Sequence, residues 1–135
     1  MADFLTAHKL TSINEGGYTN DSLDPGNWTN GKINSGILVG TNHGISAPVL
    51  MRYLKRVPTA DEMRNLKAET AHEIYRKNYW NLIKGDQIKD QGVANVIYDN
   101  AVNIGAAGAV KMAQKEVGTL QTGVMDSKTL KKLNA

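Results

Sequence analysis

The sequence predicts an α+β fold, a mainly helical single domain with one small β-hairpin element, and three observations carry that expectation. Apolar residues recur at helical spacing near the start of the chain and again through most of its second half. Between them, residues 16–46 hold seven of the thirteen glycines, with Asn, Thr and Asp interspersed. At 135 residues the chain suits one domain large enough to bury its own core without staples.

Taken in order, residues 2–14 read as an amphipathic helix built on Phe4, Leu5, Leu10 and Ile13. Gly16-Gly17 stops it, because glycine adopts backbone angles that other residues avoid. The glycine-rich stretch suits turns, and the short run Ile37-Leu38-Val39 supplies the β-like element. Pro48 fits the first turn of a short helix, Val49 to Lys55. Thr59-Ala60-Asp61-Glu62 has the form of a capping box, and Leu66, Ala71, Ile74, Tyr75, Tyr79 and Leu82 continue a helical stripe. Glu73 and Lys77 are spaced for an i,i+4 pair on its wet side. Gly92 to Ile104 is apolar nearly all round, the pattern of a central buried helix. Gly105 to Val117 forms another helix rich in Ala and Gly, and Asp126 or Ser127 caps a last one ending at Leu133. No repeat or linker divides the chain, so one domain is expected over residues 1–135.

Composition excludes several classes of function. There is no cysteine, hence no disulfide framework and no thiolate metal site. His8, His43 and His72 lack the i,i+4 spacing of a helical zinc motif, so no metal and no cofactor are expected. His43, in the glycine-rich region, reads either as a residue near a cleft or as a solvent-exposed loop residue. The net charge of +3 and a pI near 9.1 mildly favour an anionic partner. Lys and Arg are dispersed, however, and no basic-aromatic platform for nucleic acid appears. No segment approaches the ~20 apolar residues of a membrane span. Met1 to Thr11 lacks the pattern of a secretory signal, so synthesis in the cytoplasm is expected. A monomer is expected.

Two carboxylates carry the candidate chemistry. Glu15 ends the first apolar-periodic segment, beside uncharged Gly16-Gly17-Tyr18 and with no basic residue between Lys9 and Lys32. The local sequence thus offers no cation to depress its pKa, and a helix C-terminus disfavours the ionised form. Those are conditions that suit a general acid. Asp24 follows in the turn Asp24-Pro25-Gly26, and two acids flanking such a turn fit glycoside hydrolysis. On composition alone, Glu15 reads as an ordinary surface glutamate and Asp24 as an ordinary turn residue. Asp99, Asn100 and Asn103 within an apolar helix imply either an internal hydrogen-bond network or a face lining a polar cleft. Tyr18, Trp28, Tyr79, Trp80 and Tyr98 offer stacking faces for sugar rings, with core packing the default for each.

Several motifs together resemble the glycoside hydrolase family 108 lysozymes, which include secretion-activator-like proteins. Glu15-Gly16-Gly17-Tyr18 matches the family's Glu-Gly-Gly-Tyr signature, and Asn20-Asp21 through Asp24-Pro25-Gly26 follows it. Glu73 to Trp80 looks like its Ile-Tyr…Tyr-Trp helix, and Tyr98 to Gly105 is similar to its Ala-Val-Asn-x-Gly helix. Gln114, Gly118, Gly123, Asp126, Thr129 and Leu130 resemble its C-terminal peptidoglycan-binding region. The resemblance implies a lysozyme-like fold, with residues 1–105 as the catalytic part and residues 106–135 as a short peptidoglycan-binding region packed as the last helices. It also implies cleavage of the β-1,4 bond between N-acetylmuramic acid and N-acetylglucosamine in peptidoglycan glycan strands, after release or export to the wall.

By the same resemblance Glu15 is the proton donor, and Asp24 keeps the nine-residue spacing of the Glu and Asp of phage lysozymes of this fold class. A Thr in the following hairpin completes their site. The family's Thr-x-x-Gly-Ile-Thr run is matched best by Thr41-Asn42-His43-Gly44-Ile45-Ser46, after an insertion of about a dozen residues. Thr41 is therefore assigned to catalysis, and Thr29 is the alternative, placed with Tyr18, Tyr79, Tyr98, Asn100 and Asn103 among substrate-binding residues. The other reading open to such a sequence is a non-catalytic wall-binding or secretion-assisting protein on the same scaffold.

Overall fold

The computed structural model describes residues 1–11 and 17–135. Among them are seven α-helices: α1 (Phe4–Thr11), α2 (Ala47–Leu54), α3 (Ala60–Arg64), α4 (Ala68–Tyr75), α5 (Gln91–Ile104), α6 (Ala106–Val117) and α7 (Ser127–Leu133). A π-helical turn, Arg76–Trp80, follows α4, and 3-10 turns form at Pro25–Asn27 and Gly85–Gln87. Most helix starts are capped by the side chains that the sequence offers. The Asp3 carboxylate accepts the Thr6 N–H at 2.9 Å, Asp90 the Val93 N–H at 3.0 Å, and Asp126 the Thr129 N–H at 2.8 Å. The capping box at α3 is complete: Thr59 accepts from Glu62 N–H and the Glu62 carboxylate accepts from Thr59 N–H. Gly105 ends α5 and begins α6 at φ +93° and ψ 153°, a region essentially confined to glycine. The terminal glycine of the Ala-Val-Asn-x-Gly motif is thus a hinge between two helices.

The chain forms two compact units, Met1–Ile13 with Tyr75–Ala135 and Asn14–Ile74. The first is built from α1, α5, α6 and α7. Its core is an aromatic cluster in which the Phe4, Trp80 and Tyr98 rings meet edge to face, each pair 5.7 Å apart, among Ile83, Ile88, Val110 and Met125. Residues 106–135 belong to this unit rather than forming one of their own. In the second unit Val39, Ile45, Leu50, Met63, Ala71 and Ile74 are buried together with Ala47. Each such fully buried large apolar side chain contributes roughly 1.5–3 kcal/mol.

Three expectations differ from what forms. No sheet is present among the described residues, so the hairpin is reduced to isolated antiparallel bridges, Thr19↔Thr41, Trp28↔Leu38, Lys32↔Ser35 and Asn42↔Ile45. The reason is backbone geometry: Gly31, Asn34, Gly36 and Gly40 all take positive φ, which interrupts an extended run at each step. The helical stripe read from Thr59 to Leu82 is also broken, at Asn65–Lys67. The Asn42 side-chain amide donates to the carbonyls of Met63 and Arg64, and His43 Nε2 lies 3.0 Å from that of Leu66. Those carbonyls at the end of α3 are satisfied from elsewhere in the same unit, so the helix need not continue. Finally, α5 is not buried all round, since Val96 is 62% and Ile104 58% exposed.

Candidate functional site

The Asp24 turn is the best-defined part of the candidate site. Pro25 keeps Asp24 extended, at φ −96° and ψ 115°, as residues before proline prefer. The Asp24 carboxylate then folds forward, and its Oδ1 accepts the Gly26 N–H at 2.9 Å. The 3-10 turn Pro25–Asn27 carries the chain inward, with Asn27 N–H donating to the Asp24 carbonyl at 3.1 Å. Asn27 ends fully buried. Its Nδ2 donates to the Asp21 carbonyl at 2.9 Å, and its own carbonyl accepts the N–H groups of Val39 and Gly40. The Thr41 hydroxyl donates to Asn27 Oδ1 at 2.6 Å, and Thr41 is paired through its backbone with Thr19 in both directions. One turn thus brings Asp24 and Thr41 onto a shared scaffold, Asp24 exposed and Thr41 half-buried.

Thr29 and Tyr18 belong to the same unit but stand differently. Thr29 is 3% exposed, and its Oγ1 accepts the Ile37 N–H at 2.9 Å. Gly36, at φ +86°, lies so close that a Cβ there would run into that hydroxyl. The Thr29 oxygen is therefore committed to the loop itself. Tyr18 is half-buried, with its hydroxyl donating to the Val39 carbonyl at 3.1 Å and the Arg64 guanidinium 5.4 Å above its ring. Gly40, at φ +92°, allows this arrangement, since a side chain there would meet both Tyr18 and the Thr19 carbonyl.

The remaining candidates, Tyr79, Tyr98, Asn100 and Asn103, lie in the other unit. Tyr98 corrects the expectation of a stacking face. It is 0% exposed and its hydroxyl lies 2.8 Å from His8 Nδ1, so both ring and oxygen are committed to the core. Trp80 is buried likewise, its indole N–H donating to Asp86 Oδ1 at 2.8 Å. Tyr79 is half-buried, 5.8 Å from the Tyr75 ring. Asn103 is exposed and donates to the Asp99 carbonyl one turn back. Asn100 lines a mainly apolar groove of about 910 Å³ bounded by Val93, Val96, Met112 and Val117. Asp99, Asn100 and Asn103 therefore do not share one environment.

Glu15, with Gly16, lies outside the described residues. Among the described residues no group of three or more His, Asp or Glu is arranged to hold a metal ion, and no helix is long and apolar enough to cross a membrane. Asn27 is the residue that sequence reading missed. In Pro25-Gly26-Asn27 it reads as one more turn asparagine, and only its burial shows otherwise.

A mainly helical fold with a glycine-rich segment carrying Asp24 and Thr41 finds its counterpart among glycoside hydrolases. The profile of the family Glycosyl hydrolase 108 matches residues 9–105, more than half of the chain, and the protein belongs to that family. The solved structure of Brucella abortus SagA is similar, with 37% sequence identity and a TM-score of 0.73, over 96% of this chain and 67% of that one. No curated protein matches.

Proposed function

We propose that the protein is a peptidoglycan hydrolase that cleaves the β-1,4 bond between N-acetylmuramic acid and N-acetylglucosamine, acting on the wall after release or export. The observation that carries this reading is the family match, whose span includes Glu15, Asp24 and Thr41 in order. Glu15 acts as general acid: the glycosidic C–O bond breaks as its proton passes to the leaving oxygen. Water adds to the anomeric carbon and gives up its spare proton to a carboxylate of the site. Asp24 and Thr41 orient that water or stabilise the oxocarbenium-like charge. Thr41 is favoured over Thr29 because the residue is half-buried and tied to the Asp24 turn through Asn27, whereas the Thr29 hydroxyl is closed in by Gly36 and bound to Ile37.

The second reading, a non-catalytic wall-binding or secretion-assisting protein, draws on the likeness to SagA. Mass spectrometry of fragments released from purified peptidoglycan separates the two. The proposed activity leaves reducing muramic acid ends, an amidase or peptidase leaves cut stems, and a binding protein releases nothing.

A further inference from the structure

We propose that Asn27 is a positioning residue that fixes the polarity of the Thr41 hydroxyl, its hydrogen turned inward and its lone pairs outward, so that this oxygen meets the hydrolytic water only as an acceptor. The inference rests on the reading that Thr41 belongs to the site. Its basis is the order in which the hydrogen bonds constrain one another. The Asp21 carbonyl can only accept, so the atom of Asn27 that faces it at 2.9 Å must be the donating Nδ2. The amide is planar, and its other end, Oδ1, is therefore the atom 2.6 Å from Thr41 Oγ1. Oδ1 can only accept, so Thr41 must donate. Among the described residues the other oxygen bonded to Thr41 Oγ1 is the Gly26 carbonyl at 3.5 Å, again an acceptor. Whichever of the two it favours, the hydroxyl hydrogen points into the turn.

Asn27 is held firmly enough to impose this. It is fully buried, its carbonyl accepts the N–H groups of Val39 at 2.9 Å and Gly40 at 3.0 Å, and its N–H closes the turn on the Asp24 carbonyl. Rotating its amide would set two carbonyl oxygens against each other at Asp21 and leave Thr41 facing an NH₂ group. On the other side, the two-way pairing with Thr19 holds the Thr41 backbone. A hydroxyl free to rotate offers either a hydrogen or a lone pair to water. One locked as an acceptor takes a hydrogen from water, which leaves the water's own lone pairs directed elsewhere, as attack on an electron-poor carbon requires.

A double-mutant cycle in the full chain, read by steady-state hydrolysis of purified peptidoglycan, tests this. Thr41→Val is expected to lower kcat roughly tenfold to a hundredfold. Asn27→Leu is expected to lower kcat to a similar extent at nearly constant KM, and the double variant to be no slower than Thr41→Val alone. Losses that multiply in the double variant, or an Asn27→Leu enzyme that turns over as the wild type does, overturn the proposal. Full activity in Thr41→Val overturns the assignment of Thr41 to the site, and the proposal with it. A second readout needs no variant and does not depend on activity. In the proton NMR spectrum of threonine-labelled wild-type protein the Thr41 hydroxyl hydrogen is expected in slow exchange with solvent. Rapid exchange at that hydroxyl contradicts the inward hydrogen bond.

Discussion

The hydroxyl of Tyr98 on α5 lies 2.8 Å from Nδ1 of His8 on α1, inside a cluster where His8 stacks on Phe4 at 5.4 Å. Both residues are buried, so the contact does not compete with solvent. Losing the hydroxyl takes a hydrogen bond out of this buried setting. Tyr98→Phe is expected to destabilise the protein by about 1–2 kcal/mol in denaturant unfolding. A variant as stable as the wild type contradicts the role assigned to this contact.

Gly85 makes room for Trp80. A Cβ at Gly85 would enter the indole ring of a fully buried tryptophan that is already anchored to Asp86. Overpacking of this kind costs roughly 1–3 kcal/mol. Gly85→Ala is therefore expected to lower the thermal midpoint by several degrees, on the order of 4 °C per kcal/mol for a domain near this size.

Gln114 plays the corresponding part at the C-terminal end. The two hydrogens of its fully buried Nε2 are shared among Thr122 Oγ1, the Val124 carbonyl and Thr129 Oγ1, and its Oε1 accepts the Gly123 N–H at 3.0 Å. One side chain thus ties α6 to the loop before α7 and to α7 itself. Gln114→Leu removes all of these hydrogen bonds at once, the one to buried Thr129 included, and is expected to cost on the order of 3 kcal/mol, measured by chemical denaturation.

The capping box at α3 gives the stability a pH signature. Hydrogen bonding to Arg56, and then to the Thr59 N–H, holds the Glu62 carboxyl at about 2, against an ordinary 4.5. A carboxyl depressed in the folded state stabilises it fully above its unfolded pKa, and that contribution is lost as pH falls through the folded value. The window is therefore from about pH 4.5 down to about 2. Thermal midpoints of wild type and Glu62→Gln should differ most above pH 5 and converge as pH approaches 2. A difference that does not change with pH contradicts this. Asp3 and Asp126, lowered by their hydrogen bonds to Thr6 and Thr129, act in the same direction.

Where the sequence was legible, it was so for local reasons. Thr59 with Glu62, Asp126 before α7 and Pro48 in the first turn of α2 are decided within a few residues, and each forms where it was read. What depends on distant residues was not legible. The break after α3 is set by Asn42 and His43, some twenty residues earlier, and nothing in the stripe Leu66 to Leu82 announces it. The hairpin failed for a reason visible only in part, because Asn34 as well as the glycines takes positive φ. At the site, the Asp24 turn is readable from its residues and Thr41 only through the family resemblance, while the burial of Thr29 and Tyr98 is not readable at all. An aromatic ring that can stack on a sugar and one that fills a core look alike in a sequence.

Whether Glu15 donates the proton that breaks a glycosidic bond is decided by the release of reducing ends from purified peptidoglycan by wild type and by Glu15→Gln. New reducing muramic acid ends are expected from the wild type, and a loss of at least about a hundredfold in the variant with its thermal midpoint nearly unchanged. Reducing ends released by Glu15→Gln at the wild-type rate, or none released by the wild type itself, would contradict it.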